Sequence, residues 1–119
     1  MDGRAELGRW GEDLAVQHLL ASGYEVVSRN WRCREGELDV VARIAGLLVF
    51  VEVKARSGLG FGEPAEAVGP VKARRLHRVA CRWLEQQRPP GRHDLRFDVV
   101  SVLRRPGAAP VVVHLEGAF

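Results

Sequence analysis

The chain has 119 residues, 46% of them hydrophobic and 28% charged, with a formal net charge of +3. That length suits one domain, residues 1–119, with a single core and no need of covalent staples. Cys33 and Cys81 form no C-x-x-C or Cys/His cluster, which argues against a zinc centre, and the longest apolar run, residues 45–51, is too short to cross a bilayer.

Residues 5–22 read as a helix ended by Gly23. One face carries Gly8, Gly11 and Ala15, with Leu19 below. A helix-interior glycine costs about 0.5–1 kcal/mol relative to alanine, so two of them predict close backbone approach to a sheet. Glu12 lies on the same side, one turn before Ala15, and is expected to face that sheet rather than solvent. Residues 24–31 form the first predicted strand. Residues 30–35 read as basic and irregular, with Arg32 and Arg34 just ahead of the next strand.

Residues 36–56 (GELDVVARIAGLLVFVEVKAR) have the pattern of a β-hairpin: two apolar runs about a short turn at Ala45-Gly46. With those two residues as the loop, paired positions sum to 91, which sets Asp39 opposite Glu52 and Glu37 opposite Lys54. A symmetric four-residue loop keeps these pairs, whereas a bulged three-residue loop changes the parity. By alternation Phe50, Glu52, Lys54 and Arg56 share one face, as do Glu37, Asp39 and Val41 on the partner strand. Opposed like charges destabilise a strand pair. Two carboxylates so placed call for a hard cation with oxygen ligands, and Lys54 then stands beside whatever the cation binds.

Residues 57–64 (SGLGFGEP) form a glycine-rich loop that does not match the phosphate-binding G-x-x-x-x-G-K-[ST] pattern. Residues 71–87 are a second helix, with an apolar stripe of Leu76, Val79, Ala80 and Trp83. Its basic stripe of Arg75, Arg78 and Arg82, with Arg74 at the edge, has almost no acidic counterpart before Glu85, which suits contact with phosphates. Lys72 is placed on the buried side, one turn before Leu76. Residues 95–103 and 110–115 are two further strands. Asp98 and Arg96 are expected to form a structural ion pair, and His114, with no His or Cys at metal spacing, a structural role. Of the 18 basic residues, only Lys54 and Lys72 are lysine. In so arginine-rich a chain, a retained lysine suggests a compact ammonium whose pKa can be tuned.

An aspartate on one strand followed by Glu-x-Lys on the next, here Glu37-Leu38-Asp39 and Glu52-Val53-Lys54, resembles the PD-(D/E)XK nuclease superfamily, without the proline that names the motif. Over nearly the whole chain, G-R-W-G-E-D-L-A, N-W-R-C-R-E-G-E-L-D-V-V, V-F-V-E-V-K-A-R, F-G-E-P-A-E-A-V-G-P-V-K and R-F-D-V-V look like the small bacterial YraN-type proteins. The resemblance implies an α/β restriction-endonuclease-like (Holliday-junction-resolvase-like) fold, a mixed sheet flanked by helices in the order αβββαββ. That order agrees with the elements read above.

The function expected is metal-dependent hydrolysis of phosphodiester bonds in DNA, on branched or repair intermediates. Mg²⁺ (or Mn²⁺) would be held by Asp39, Glu52 and the Val53 carbonyl, with Glu12 as an outer or second-metal carboxylate. Asp39, Glu52 and Lys54 make the catalytic set, Lys54 orienting water or offsetting phosphoryl charge. Arg56 and Lys72 would hold phosphate, and Arg32, Arg34, Arg74, Arg75, Arg78 and Arg82 extend the nucleic-acid surface. A nucleic-acid-binding module without turnover, and a structural protein using the charged hairpin as an interface, are the alternatives. The start MDGRAELGRW carries no signal-peptide pattern, so a cytoplasmic protein with free thiols and no membrane partner is expected; a homodimer is compatible with all of this.

Overall fold

The structure is a computed structural model that describes residues 3–58 and 68–119. It contains α1 (Gly3–Ala21), β1 (Glu25–Cys33), β2 (Gly36–Ile44), β3 (Leu47–Ser57), α2 (Pro70–Gln87), β4 (Asp94–Arg104) and β5 (Val111–Leu115). This is the expected order αβββαββ. The strands form one five-stranded sheet in the order β1-β2-β3-β4-β5. Neighbours are antiparallel except β3 and β4, which run parallel. Two parallel strands cannot be joined by a tight turn, and α2 provides the crossover between them.

The helices cover opposite faces. Ala15 and Leu19 of α1 pack on Val40, Ala42, Val49, Val51, Val100 and Val102. Leu76, Val79, Ala80 and Trp83 of α2 pack on Leu38, Val41, Leu48 and Phe50. Central strands buried on both faces need apolar residues at consecutive positions, which is why the hairpin runs read as continuous rather than alternating. Trp83 fills the α2 layer, edge-on to Phe50 at 5.8 Å, and its indole N–H donates to Ser28 Oγ at 3.1 Å.

Gly11 seats α1 on the sheet: a Cβ there would stand 2.5 Å from the Ala55 Cβ. The expectation for Gly8 is corrected, since a Cβ at that position would meet nothing within 4 Å. The segment expected to be irregular is also revised. β1 continues to Cys33, with Asn30 in a left-handed conformation (φ +52°) part-way along.

The hairpin ladder runs from Ile44↔Leu47 to Val40↔Val51, every pair summing to 91, about a turn in which Ala45 has φ +51°. There it stops. Asp39–Glu52 and Glu37–Lys54 are not ladder pairs, because β2 leaves β3 at Asp39. Leu38 and Val41 both lie in the α2 layer, a spacing of three that strict alternation forbids, so β2 kinks between them. Glu37 and Asp39 consequently border clefts on both faces, whereas Val41 lies in the α2 layer alone. Below the kink β2 pairs only with β1, while β3 continues along β4.

Candidate active site

The parting of β2 and β3 creates the site. The Val53 amide, released from the ladder, donates to Asp39 Oδ2 at 2.9 Å. The N–H and C=O of one residue in a strand point to the same side, so the Val53 carbonyl also faces the gap. The Asp39 and Glu52 carboxyls lie close enough for each to feel the other. Burial, then the Glu52 carboxyl and its charge, push Asp39 up to about 8; the Val53 amide opposes this and the Glu12 charge adds to it.

Clefts flank this pair on both sides. On the α1 side a cavity of about 400 Å³ is lined by Glu12, Asn30, Glu37, Asp39, Val53, Lys54 and Ala55 with residues of the first turns of α1. On the α2 side a cavity of about 260 Å³ is lined by Glu35, Gly36, Glu37, Asp39, Glu52, Lys72, Arg75 and Leu76. Asp39 and Glu37 border both. The kink thus turns Asp39 from a strand residue into the wall between two clefts.

Glu52 Oε2 is a buried oxygen without a hydrogen bond. The Lys72 ammonium lies 2.9 Å from it, a charge contact whose angles do not make a hydrogen bond. Lys72 lies on the expected, sheet-facing side of α2, bordering the cleft with Leu76, but its side chain is 45% exposed rather than buried. Two carboxyls, one of them raised, meet a single ammonium here, and the donors are all hard oxygens, so the set fits a Mg²⁺-class ion. Among the described residues, no three acidic, His or Cys side chains converge into a ready cage. Mg²⁺ needs none, since it is usually held by one or two carboxylates and keeps several waters.

Glu12 faces the sheet, nearly buried, and accepts from Arg29 and Asn30. Neither donor was expected from the sequence, because both come from β1 and reach Glu12 only through the packing of α1 on that strand. Lys54 lines the α1-side cleft with Asp39, and Lys54 and Arg56 each have an interaction partner.

The predicted phosphate surface divides. Arg34, Arg74, Arg75 and Arg78 are exposed, and Arg75 borders the α2-side cleft. Arg82 is exposed too, but it pairs with Glu35 at 3.0 Å and Glu85 at 3.1 Å, contacts that compete with a phosphate. Glu35 arrives from the β1–β2 turn, a counter-charge invisible along the helix. Arg32 lies 3.4 Å from Glu37, an exposed pair worth little. The glycine-rich loop lies, for residues 59–67, outside the described residues.

A second buried polar network lies at the far end of the sheet. Arg96 makes a two-pronged bond to the fully buried Asp98, at 2.9 and 2.8 Å, as expected. His114 Nε2 is 2.7 Å from Asp98, and its Nδ1 is 3.2 Å from His18 Nε2. Burial pushes Asp98 up, but His114, Arg96 and the Gly117 amide outweigh it and hold the carboxyl below its ordinary range. The partner of His114 is on α1, 96 residues away, where spacing rules cannot find it. The network ties α1 to β4 and β5.

Residues 11–102 match the model of the uncharacterised protein family UPF0102. The chain belongs to that family. UPF0102 proteins similar to it include one from Nocardia farcinica, 55% identical over 95% of this chain and 88% of its own length. Those from Acidothermus cellulolyticus and Frankia alni are 48% and 52% identical over at least 98% of this chain and 95% of theirs. The matched residues include Glu12, Asp39, Glu52, Val53, Lys54 and Lys72. Among the described residues no helix is long and apolar enough to cross a membrane.

Proposed function

We propose that this protein is a metal-dependent nuclease of the PD-(D/E)XK kind, with a restriction-endonuclease-like fold, cutting phosphodiester bonds in DNA. The observation that carries the reading is the Asp39–Glu52 carboxyl pair, set at the parting of two strands with Lys54 lining the cleft on one side and Lys72 on the other.

Asp39, Glu52 and the Val53 carbonyl would hold the ion, with Glu12 across the α1-side cleft. The ion would supply an activated water and neutralise phosphoryl charge. A metal ligand must be ionised, and the Asp39 carboxyl is raised, so affinity rises with pH. The Val53 amide keeps Asp39 aimed at the gap when it is ionised. Lys54 orients the attacking water or offsets charge on the phosphoryl oxygens. Arg75, at the α2-side cleft, and exposed Arg74, Arg78 and Arg34 hold the phosphates on either side.

A second reading, a nucleic-acid-binding module without turnover, is favoured by one contact: Lys72 partly compensates Glu52 and so lessens the site's demand for a cation. Branched, single-stranded and duplex DNA, with an RNA control, each incubated with Mg²⁺, Mn²⁺ or EDTA, separate the two. Metal-dependent cleavage lost in Asp39→Asn and Glu52→Gln supports the nuclease. Tight binding with no cleavage of any substrate leaves the module.

A further inference from the structure

Glu12 is gripped from one side. Asn30 Nδ2 donates to Oε1 at 2.8 Å, and Arg29 reaches the same oxygen through Nη2 at 3.1 Å and Nε at 3.2 Å. Three donors converge on this one oxygen, two of them from a rigid guanidinium, and none of these bonds reaches Oε2.

The grip has a conformational cost. Asn30 is a non-glycine residue at φ +52° in the body of a strand, a region that asparagine tolerates better than most but that remains uncommon. Such conformations persist where the surroundings over-determine them and cluster at functional sites. Arg29 also bonds Asp13 at 2.8 Å, and that contact alone would staple the helix to the strand. The Asn30 amide adds a bond to Glu12 alone, the residue that lines the cleft beside Asp39 and whose charge reaches it.

We infer that Asn30, seconded by Arg29, is a positioning residue: it fixes the Glu12 carboxylate beside Asp39 and so sets the affinity of the cleft for a divalent cation. The inference rests on the metal-site reading above and extends it to a residue outside the carboxylate and lysine set.

Mn²⁺ binding to chelator-stripped protein, followed by calorimetry, tests it in the wild type, Asn30→Gly, Asn30→Asp and Glu12→Gln. Glycine accepts the left-handed backbone and removes only the amide, while aspartate keeps the shape and replaces the donor with a repelling acceptor. Loss of a ligand-orienting partner typically weakens metal binding about 10–100-fold. Both Asn30 variants should fall in that range, approaching Glu12→Gln, whatever their melting temperatures. A mere staple would lower the melting temperature and leave Mn²⁺ affinity within about twofold of wild type, which overturns the inference. If the wild type binds no Mn²⁺, the metal-site reading fails, and a crystal structure of Asn30→Gly decides the positioning role. Glu12 unmoved overturns it, and Glu12 turned out of the cleft sustains it.

Discussion

The Val53 amide donates a 2.9 Å hydrogen bond to Oδ2 of Asp39 across the point where β2 and β3 part. One backbone donor thus replaces a ladder bond with a bond to a carboxyl that burial and Glu52 hold at about 8. An aspartate in the unfolded chain loses its proton near 3.9. Folding therefore takes up a proton between those values, and this contribution to stability is lost as pH rises toward 8.

Asp39→Asn keeps an acceptor for Val53 and has nothing to titrate. It should match wild type below about pH 4 and become the more stable of the two as pH rises to 8, measured by urea unfolding in EDTA. Excess Mg²⁺ should raise the melting temperature of wild type more than that of the variant, because only the intact site binds the ion. A variant that melts far lower at pH 8 in EDTA, with no Mg²⁺ effect on either protein, would make Asp39 a structural residue.

The two glycines on the sheet side of α1 should respond in opposite directions. Gly11→Ala drives a methyl to 2.5 Å from the Ala55 Cβ and 3.5 Å from its Cα, where strand backbone cannot yield; a loss of about 1–3 kcal/mol is expected. Gly8→Ala meets nothing within 4 Å and should gain about 0.5–1 kcal/mol. Denaturant midpoints of the pair test the seating of α1 directly.

Replacing Arg74, Arg75 and Arg78 with alanine should weaken DNA binding and flatten its salt dependence by roughly 0.9 in log–log slope for each duplex phosphate contact removed. Arg82→Ala is the internal control. Its guanidinium is committed to Glu35 and Glu85, so the slope should hold. Titrations at several salt concentrations that show no change in the triple variant would return this stripe to ordinary solvated surface.

His18 should impose a pH dependence of its own. Burial, then the charge of His114, lowers its pKa from the ordinary 6.5. A depressed folded value means the unfolded chain binds the proton more readily, so this stabilisation is present above about 6.5 and lost as pH falls below it. His18→Gln should flatten the acid limb of a melting-temperature profile between about pH 5 and 7. An unchanged profile would show that the histidine contact does not respond to protonation.

The element order and the hairpin were legible in the residues alone, as was the register up to Val40↔Val51 once Ala45-Gly46 is taken as the loop. Apolar runs, glycine and proline stops and a two-residue turn are local signals, and Val40↔Val51 follows from Ala45-Gly46 by counting. The Arg96–Asp98 pair was legible for the same reason, since two residues apart on a strand share a face. Glu12 was placed toward the sheet by the small residues around it. Only tertiary structure decided where the ladder ends. The kink at Asp39 arises because β2 follows β1 while β3 follows β4, a competition between neighbours that no alternation within one strand encodes. The ions that complete the site are equally non-local: Lys72 reaches Glu52 from α2, Glu35 takes Arg82 from a turn, and Arg29 and Asn30 hold Glu12 across the α1–β1 contact. Charges pair by distance in space, and folding brings together residues that sequence spacing leaves far apart.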